Sequence, residues 1–180
     1  MINIILLFNL FRLFTFDINY NYVNTSIDIS VDGFKNEYLK YNSYESESEN
    51  VDEIAKKLNK YLNSTLKNKG KYIAKYSISK GVDPYLATAI ILHETGCEWK
   101  CSKLVRNCNN VGGNKGKPSC NGGSYRKFDS IEDGIKFAIN NLSKYYKKGL
   151  DTPEKIGPKY ASDKKWPKRV KNYIKKLKKN

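Results

Sequence analysis

The chain has 180 residues, a mass of 20.7 kDa and 39% hydrophobic residues, which excludes several full-size domains but suffices for one core. It has 33 Lys and Arg residues and 18 Asp and Glu residues, and these charges are distributed unevenly along the chain. Residues 1–53 carry a net charge of −6 and residues 54–180 carry +21. The basic part is expected to associate with a polyanion, such as nucleic acid, an anionic membrane or an anionic cell wall. Charge alone does not choose among these.

The first 50 residues differ in character from the rest of the chain. Residues 1–16 form an apolar run, which Asn9 and Arg12 interrupt, so it is shorter than a membrane-spanning helix requires. It also lacks the basic start and small-residue cleavage site of a standard secretory signal. We nevertheless predict an export signal or membrane anchor at residues 1–16, followed by an acidic polar linker at residues 17–50.

Residues 51–180 are predicted to form one mainly α domain. Apolar residues at helical spacing predict a first helix from Val51 to Leu66, ended by Gly70, and a second helix that stops at Gly81. After the third helix and an irregular lobe, Asp129 or Ser130 is expected to cap a helix that closes at Gly149. Two more helices are expected to begin at residues 152–154 and 166–167.

The third helix carries the most informative pattern in the chain. Asp83 can cap a helix whose first residue is Pro84, and Gly96 can end it in a left-handed conformation. Its apolar residues share one face with Glu94 in the last turn. A carboxyl group that projects from an apolar helix face is expected to be poorly hydrated. Poor hydration favours its protonated form, which suits a general acid. A solvated glutamate is the simpler alternative.

Four cysteines follow this helix within 24 residues, in the spacing C-x3-C-x6-C-x11-C: Cys97, Cys101, Cys108 and Cys120. We predict two disulfides in an exported protein, with three possible connectivities. A four-cysteine zinc site is the rival, but the close C-x2-C pairs typical of zinc are absent. The helix ends in H-E-T-G-C rather than H-E-x-x-H, so zinc-protease chemistry is not indicated either. No metal and no cofactor are expected.

Four motifs in this order resemble those of the lysozyme-like bacterial N-acetylglucosaminidases that cut peptidoglycan. They are H-E-T-G at residues 93–96, N-N-V-G-G at 109–113, S-Y-R-K-F-D-S at 124–130 and K-Y-A-S-D at 159–163. The resemblance covers about residues 70–178. It implies a helical lysozyme-like fold, here with a cysteine-stapled irregular lobe and a cleft between lobes.

The resemblance also implies roles for individual residues. Glu94 takes the position of the catalytic acid, whereas His93 is expected to face elsewhere on the helix and to be packed. The resemblance assigns substrate binding to seven residues: Asn109, Asn110, Gly112, Gly113, Tyr125, Phe128 and Tyr160. Turn formation explains the asparagines and glycines equally well, and Phe128 could instead belong to the core.

A second carboxylate is hard to find. No Asp or Glu lies between Glu98 and Asp129, and Asp163 is the best candidate for a partner across the scissile bond. This favours a one-carboxylate mechanism, in which the 2-acetamido group of the substrate stabilises C1. We therefore place endo-β-N-acetylglucosaminidase first, with lytic transglycosylase or muramidase on the same fold as alternatives.

A non-enzymatic function of another class is a cationic cell-wall-binding domain in which Glu94 is inert. The basic tail at residues 164–179 also suggests nucleic-acid binding, but a solvated amphipathic helix explains it, and no nucleic-acid partner is expected. We expect an extracytoplasmic monomer that binds peptidoglycan and anionic wall polymer. Its surplus lysines are expected to lie outside the cleft.

Overall fold

The helical periodicity seen in the sequence becomes seven α-helices in residues 51–179, the part of the chain that this computed structural model describes. The mainly α class is therefore confirmed. A 3-10 turn at Ser64–Leu66 follows the first helix. The helices are α1 (residues 51–59), α2 (Gly70–Ser79), α3 (Pro84–Thr95), α4 (Lys103–Cys108), α5 (Ile131–Tyr146), α6 (Pro153–Tyr160) and α7 (Trp166–Lys178).

Helix α3 is the centre of the fold. It is buried from Leu86 to Leu92 and packs against α2, α5 and α7, as a helix that is apolar on all sides must. Both predicted ends are confirmed. The Asp83 side chain accepts from the backbone N–H of Tyr85 at 2.7 Å, and Gly96 has a φ of 66°.

The predicted first helix is wrong in its second half. Helix α1 ends at residue 59, because the backbone N–H of Asn63 donates to the Cys97 carbonyl at 2.9 Å rather than to its own helix. The Asn63 side chain adds a bond to the Glu98 carbonyl at 2.6 Å. Leu62 and Leu66 are nevertheless buried, so the apolar spacing predicted burial correctly but not a continuous helix.

Gly70 was predicted to end a helix, but it is the first residue of α2. A Cβ atom there would lie 2.6 Å from the Ala55 carbonyl oxygen, so a larger residue would push α1 away from α2. The Gly70 N–H donates to the Asn59 side chain at 2.8 Å. Close packing, and not helix termination, requires glycine here.

The long cysteine-rich segment contains more structure than predicted. Disulfides pair Cys97 with Cys101 and Cys108 with Cys120, which selects one of the three connectivities. The first closes the turn after α3. The second links the end of α4 to residues 114–127, here called the ribbon, in which isolated antiparallel bridges pair residue 115 with 125 and residue 119 with 126.

Among the described residues, no helix combines the length and apolar character that crossing a bilayer requires. The predicted signal or anchor at residues 1–16 and the linker at residues 17–50 lie outside the described residues, so both stay predictions.

Gly134 of α5 should be intolerant of any side chain. A Cβ atom there would lie 1.9 Å from the carbonyl oxygen of Asn109, which is backbone and cannot rotate away. Helix propensity alone predicts that Gly134→Ala stabilises by up to about 1 kcal/mol. We expect destabilisation by at least about 2 kcal/mol in denaturant unfolding. Gly123→Ala, with an ordinary 3.4 Å contact, is the matched control; an unchanged or higher stability of Gly134→Ala would contradict the close approach.

The two disulfides should differ in their effect on stability because they close loops of different length. The Cys108–Cys120 bridge has a sequence separation of 12 and the Cys97–Cys101 bridge one of 4. Chain entropy predicts that the free energy of unfolding falls by about 3 and about 2 kcal/mol, respectively, when each pair is replaced by serine.

Intact mass after alkylation of the oxidised wild type should show no free thiol. Alkylation of any cysteine would contradict this pairing.

Candidate active site

A cleft of about 1120 Å³ opens at the C-terminal end of α3. It is lined by the last turn of α3, by residues 112–115 and 125, by one face of α5, by residues 159–163 and by the start of α7. Pockets for small molecules usually measure about 300–1,000 Å³, so this cleft is slightly larger than most of them. All residues that line the cleft belong to the part of the chain that the structure describes.

Glu94 lies in the cleft and is exposed. The expectation of a poorly hydrated carboxyl is therefore wrong, because Gly96 ends α3 directly after it and the cleft is open to water. The indole N–H of Trp166 donates to Glu94 Oε1 at 3.3 Å. Because Trp166 is only 2% exposed, it is a fixed donor that orients the carboxyl group.

Three aromatic rings form a wall beside Glu94. The Tyr160 ring lies 5.0 Å from the Trp166 ring and 6.2 Å from the Tyr145 ring, measured between centroids. Burial raises the pKa of Tyr160, and the negative charge of Glu94 raises it further. Tyr160 therefore presents a neutral phenol to the cleft at any physiological pH.

His93 also lines the cleft, contrary to the expectation that it faces elsewhere. It is packed as predicted: its ring lies 6.4 Å from those of Trp166 and Tyr173. Burial lowers the pKa of His93 below 6.5; Glu94 opposes this effect and Arg169 adds to it. The imidazole is therefore predominantly neutral at pH 7.

Asn110 builds the turn at one side of the cleft. It is 1% exposed, and its side chain donates to the carbonyls of Asn114 and Arg126 at 2.8 Å each. Its oxygen accepts from the Asn114 N–H at 2.9 Å. Gly112 and Gly113 line the cleft, whereas Asn110 lies beneath it. Its role is thus to shape the turn.

Asn109 likewise supports the wall from outside the cleft lining. It caps α4 with a φ of 53°, and its side chain donates to the Phe128 carbonyl at 3.0 Å. Together, Asn110 holds the ribbon and Asn109 holds Phe128, the residue that follows it, to the end of α4.

The two aromatic residues predicted in the ribbon separate in the structure. Tyr125 lines the cleft and is 43% exposed. Phe128 is 7% exposed and packs on Phe137 at 5.3 Å, with the Arg126 guanidinium 5.5 Å from its ring. The predicted role of Phe128 in the groove is therefore wrong, because its side chain points into the core between the ribbon and α5.

Asp163 is the second carboxylate in the cleft. It forms an ion pair with Arg169, and its Oδ1 accepts from the Lys165 N–H at 2.8 Å. Glu98 is not part of the cleft lining; it is 9% exposed and pairs with Lys176 at 2.9 Å. In the part of the chain that the structure describes, no cluster of three His, Cys, Asp or Glu side chains could hold a metal ion.

A sequence model of one glycosidase family matches residues 70–179, which include α2 to α7 and every residue that lines the cleft. That family is described as mannosyl-glycoprotein endo-beta-N-acetylglucosaminidase, or glucosaminidase. The chain belongs to the glucosaminidase family. A comparison with curated proteins finds no match. The family resemblance seen in the sequence is thus confirmed, and α1 precedes the matched region of this glucosaminidase domain.

Several cleft residues escaped the sequence analysis of the glucosaminidase domain. Helix α5 contributes Asn141, Lys144 and Tyr145, which lie at three- and four-residue spacing, and the turn after α5 contributes Lys148. The helical spacing of the α5 residues is the signal that could have identified them. Asn114 also lines the cleft and accepts from the Asn141 side chain at 3.2 Å.

The lysines contradict one expectation directly. Four of them, together with Arg169, line the cleft: Lys115, Lys144, Lys148 and Lys159. The surplus positive charge is therefore not confined to the outer surface.

The lowered pKa of His93 should make stability depend on pH. Between the folded-state pKa and 6.5 the unfolded chain binds more protons, so the free energy of unfolding rises with pH in this window. The free energy of unfolding therefore falls as the pH drops from 6.5 toward the folded-state pKa of His93. Because His93 is the single histidine, its imidazole NMR signal is unambiguous. We expect a midpoint below 6.5, and a weaker slope between pH 5 and 7 in His93→Gln. A midpoint above 6.5 would reverse the sign and contradict the burial argument.

Proposed function

We propose that this glucosaminidase is a peptidoglycan hydrolase, an endo-β-N-acetylglucosaminidase with Glu94 as general acid. One observation carries the proposal: among the described residues, Glu94 is the carboxylate in the cleft that has no cationic partner. It accepts a hydrogen bond from the Trp166 indole N–H at 3.3 Å and faces a cleft of about 1120 Å³. A proton donor fixed in this way suits cleavage of a glycosidic bond.

The first step is protonation of the glycosidic oxygen by Glu94 as the bond from C1 to that oxygen breaks. The leaving sugar keeps the proton, and the carbonyl oxygen of the substrate's 2-acetamido group stabilises the positive charge at C1. Water then attacks C1 and returns a proton to the Glu94 carboxylate. The substrate thus supplies the group that a second carboxylate supplies in other glycosidases.

The state of Asp163 supports this one-carboxylate mechanism. Its ion pair with Arg169 and its bond from the Lys165 N–H engage both carboxylate oxygens. A carboxylate whose two oxygens are engaged in this way is less available to attack C1 or to activate water. Burial and the charge of Glu94 raise the pKa of Tyr160, so its phenol stays neutral and does not replace Glu94 as the acid.

We also propose that the protein works outside the cytoplasm. Two disulfides within a domain of this size are typical of proteins that fold in an oxidising compartment. The net charge of +21 over residues 54–180 would concentrate it on an anionic wall.

Glu94→Gln should fold normally and lose at least about 100-fold in turnover of purified peptidoglycan, because the amide has no proton to donate to the leaving oxygen. Asp163→Asn should lose far less, since Asp163 supplies no nucleophile. Glu154→Gln, an exposed glutamate on α6 outside the cleft, is the control for the loss of one charge. Activity of Glu94→Gln within a few-fold of wild type would favour a wall-binding function.

Mass analysis of the released fragments identifies the bond that is cut. A reducing-end glucosamine is expected. A reducing-end muramic acid would instead indicate a muramidase, and anhydro-muramic acid a lytic transglycosylase. A loss in Asp163→Asn as large as in Glu94→Gln would contradict the substrate-assisted mechanism.

A further inference from the structure

The cleft carries more positive charge than cleavage of a neutral glycan requires. Five cationic side chains line it, against two carboxylates, and Arg169 is already paired with Asp163. The remaining four, here called the cleft lysines, are Lys115, Lys144, Lys148 and Lys159. All four are exposed, and none of them forms an ion pair within residues 51–179.

Two of the cleft lysines lie close together in the chain without an acidic partner among residues 51–179. Lys144 is in the last turn of α5, and Lys148 is in the turn that follows the end of α5 at Tyr146; both line the cleft, as do Asn141 and Tyr145. Nearby like charges repel each other, and a bound anion would relieve this repulsion. By contrast, Lys155 lies four residues after Asp151 and pairs with it at 2.7 Å.

The helix dipole explains only part of the pattern. Cations are favoured at a helix C-terminus, which accounts for Lys144 in the last turn of α5 and for Lys159 in the last turn of α6. It does not account for Lys115, which lies in the ribbon, in an isolated bridge with Tyr125. Cations from the ribbon, from α5 and from α6 therefore meet in one cleft, and a shared anionic ligand explains them together.

We infer that the cleft lysines bind carboxylate groups of the glycan strand and make this glucosaminidase selective for an anionic amino-sugar polymer over a neutral one. The inference rests on the proposed function and names the substrate class of the same cleft. A neutral sugar chain needs only hydrogen-bonding groups such as Asn114 and Asn141, and an aromatic surface such as Tyr125. Charge of one sign in a cleft focuses the field on a ligand of the opposite sign.

Two carboxylate sources share this chemistry: the lactyl ether of muramic acid and the carboxylates of the stem peptide. We therefore compare three substrates of similar length. They are neutral N-acetylglucosamine oligomers, peptide-free glycan strands with free lactyl carboxylates, and the same strands with these carboxylates converted to methyl amides. Peptide-bearing strands form a fourth arm, which tests the peptide carboxylates.

The variant is Lys144→Gln/Lys148→Gln, and the matched control is Lys75→Gln/Lys168→Gln. The control removes the same charge from exposed positions outside the cleft. We expect the kcat/KM of the anionic strand, relative to that of the neutral oligomer, to fall at least about fivefold in the cleft variant, mainly through KM. The control should keep the wild-type ratio. The wild-type preference should shrink between 0.15 and 1 M salt, where the Debye length falls from about 8 to about 3 Å.

Equal ratios for the wild type and the cleft variant would overturn the inference while leaving the proposed function intact. Absence of cleavage of every substrate by the wild type would instead refute the proposed function. In that case, calorimetry of strand binding to Glu94→Gln tests the role of the lysines independently of cleavage. Tighter binding of the lactyl strand than of its methyl amide, lost in the added Lys144→Gln/Lys148→Gln background, identifies the lactyl carboxylate. A preference seen only with peptide-bearing strands identifies the peptide, and no preference overturns the inference.

Discussion

The burial of α3 on all sides is the constraint on which the rest of the structure depends. A helix with apolar residues around its whole circumference has no face for water, so α2, α5 and α7 must surround it. Its last turn is the place where a polar side chain can leave this packing. Glu94 therefore emerges at the junction of the surrounding elements, where the cleft lies, and Gly96 ends the helix directly behind it.

The irregular lobe is held by specific bonds more than by an apolar core. The buried side chain of Asn110 connects the turn at residues 112–114 to the ribbon, and the Cys108–Cys120 disulfide ties the ribbon to α4. Buried amides of this kind stabilise only when their donors and acceptors are satisfied. They place Tyr125 and Lys115 opposite α5, so that the wall of the cleft has a defined geometry without a regular sheet.

Under the proposed function, the residues for proton transfer and those for substrate attraction are different groups of the cleft. Burial keeps Tyr160 a neutral phenol and favours the neutral form of His93, so neither adds a full charge beside Glu94 at pH 7. Asp163 is engaged by Arg169. The cleft lysines, which form no ion pair within residues 51–179, lie on the ribbon, on α5 and the turn after it, and on α6. In the proposed mechanism, Glu94 therefore supplies the acid, while the cleft lysines bind the anionic polymer.

The sequence by itself determined the features that depend on neighbours three or four residues apart. The cap at Asp83, the stop at Gly96, the burial of Leu62 and Leu66, and the position of Glu94 in a last turn all follow from such local signals. Only the tertiary structure decided what depends on distant partners. Bonds from Asn63 to residues 97 and 98 end α1 early, packing on Phe137 takes Phe128 out of the cleft, and the folding of three elements toward one another brings lysines into it. The physical reason is that periodicity predicts which side of an element is buried, whereas the identity of its neighbours is set by contacts between residues far apart in the chain.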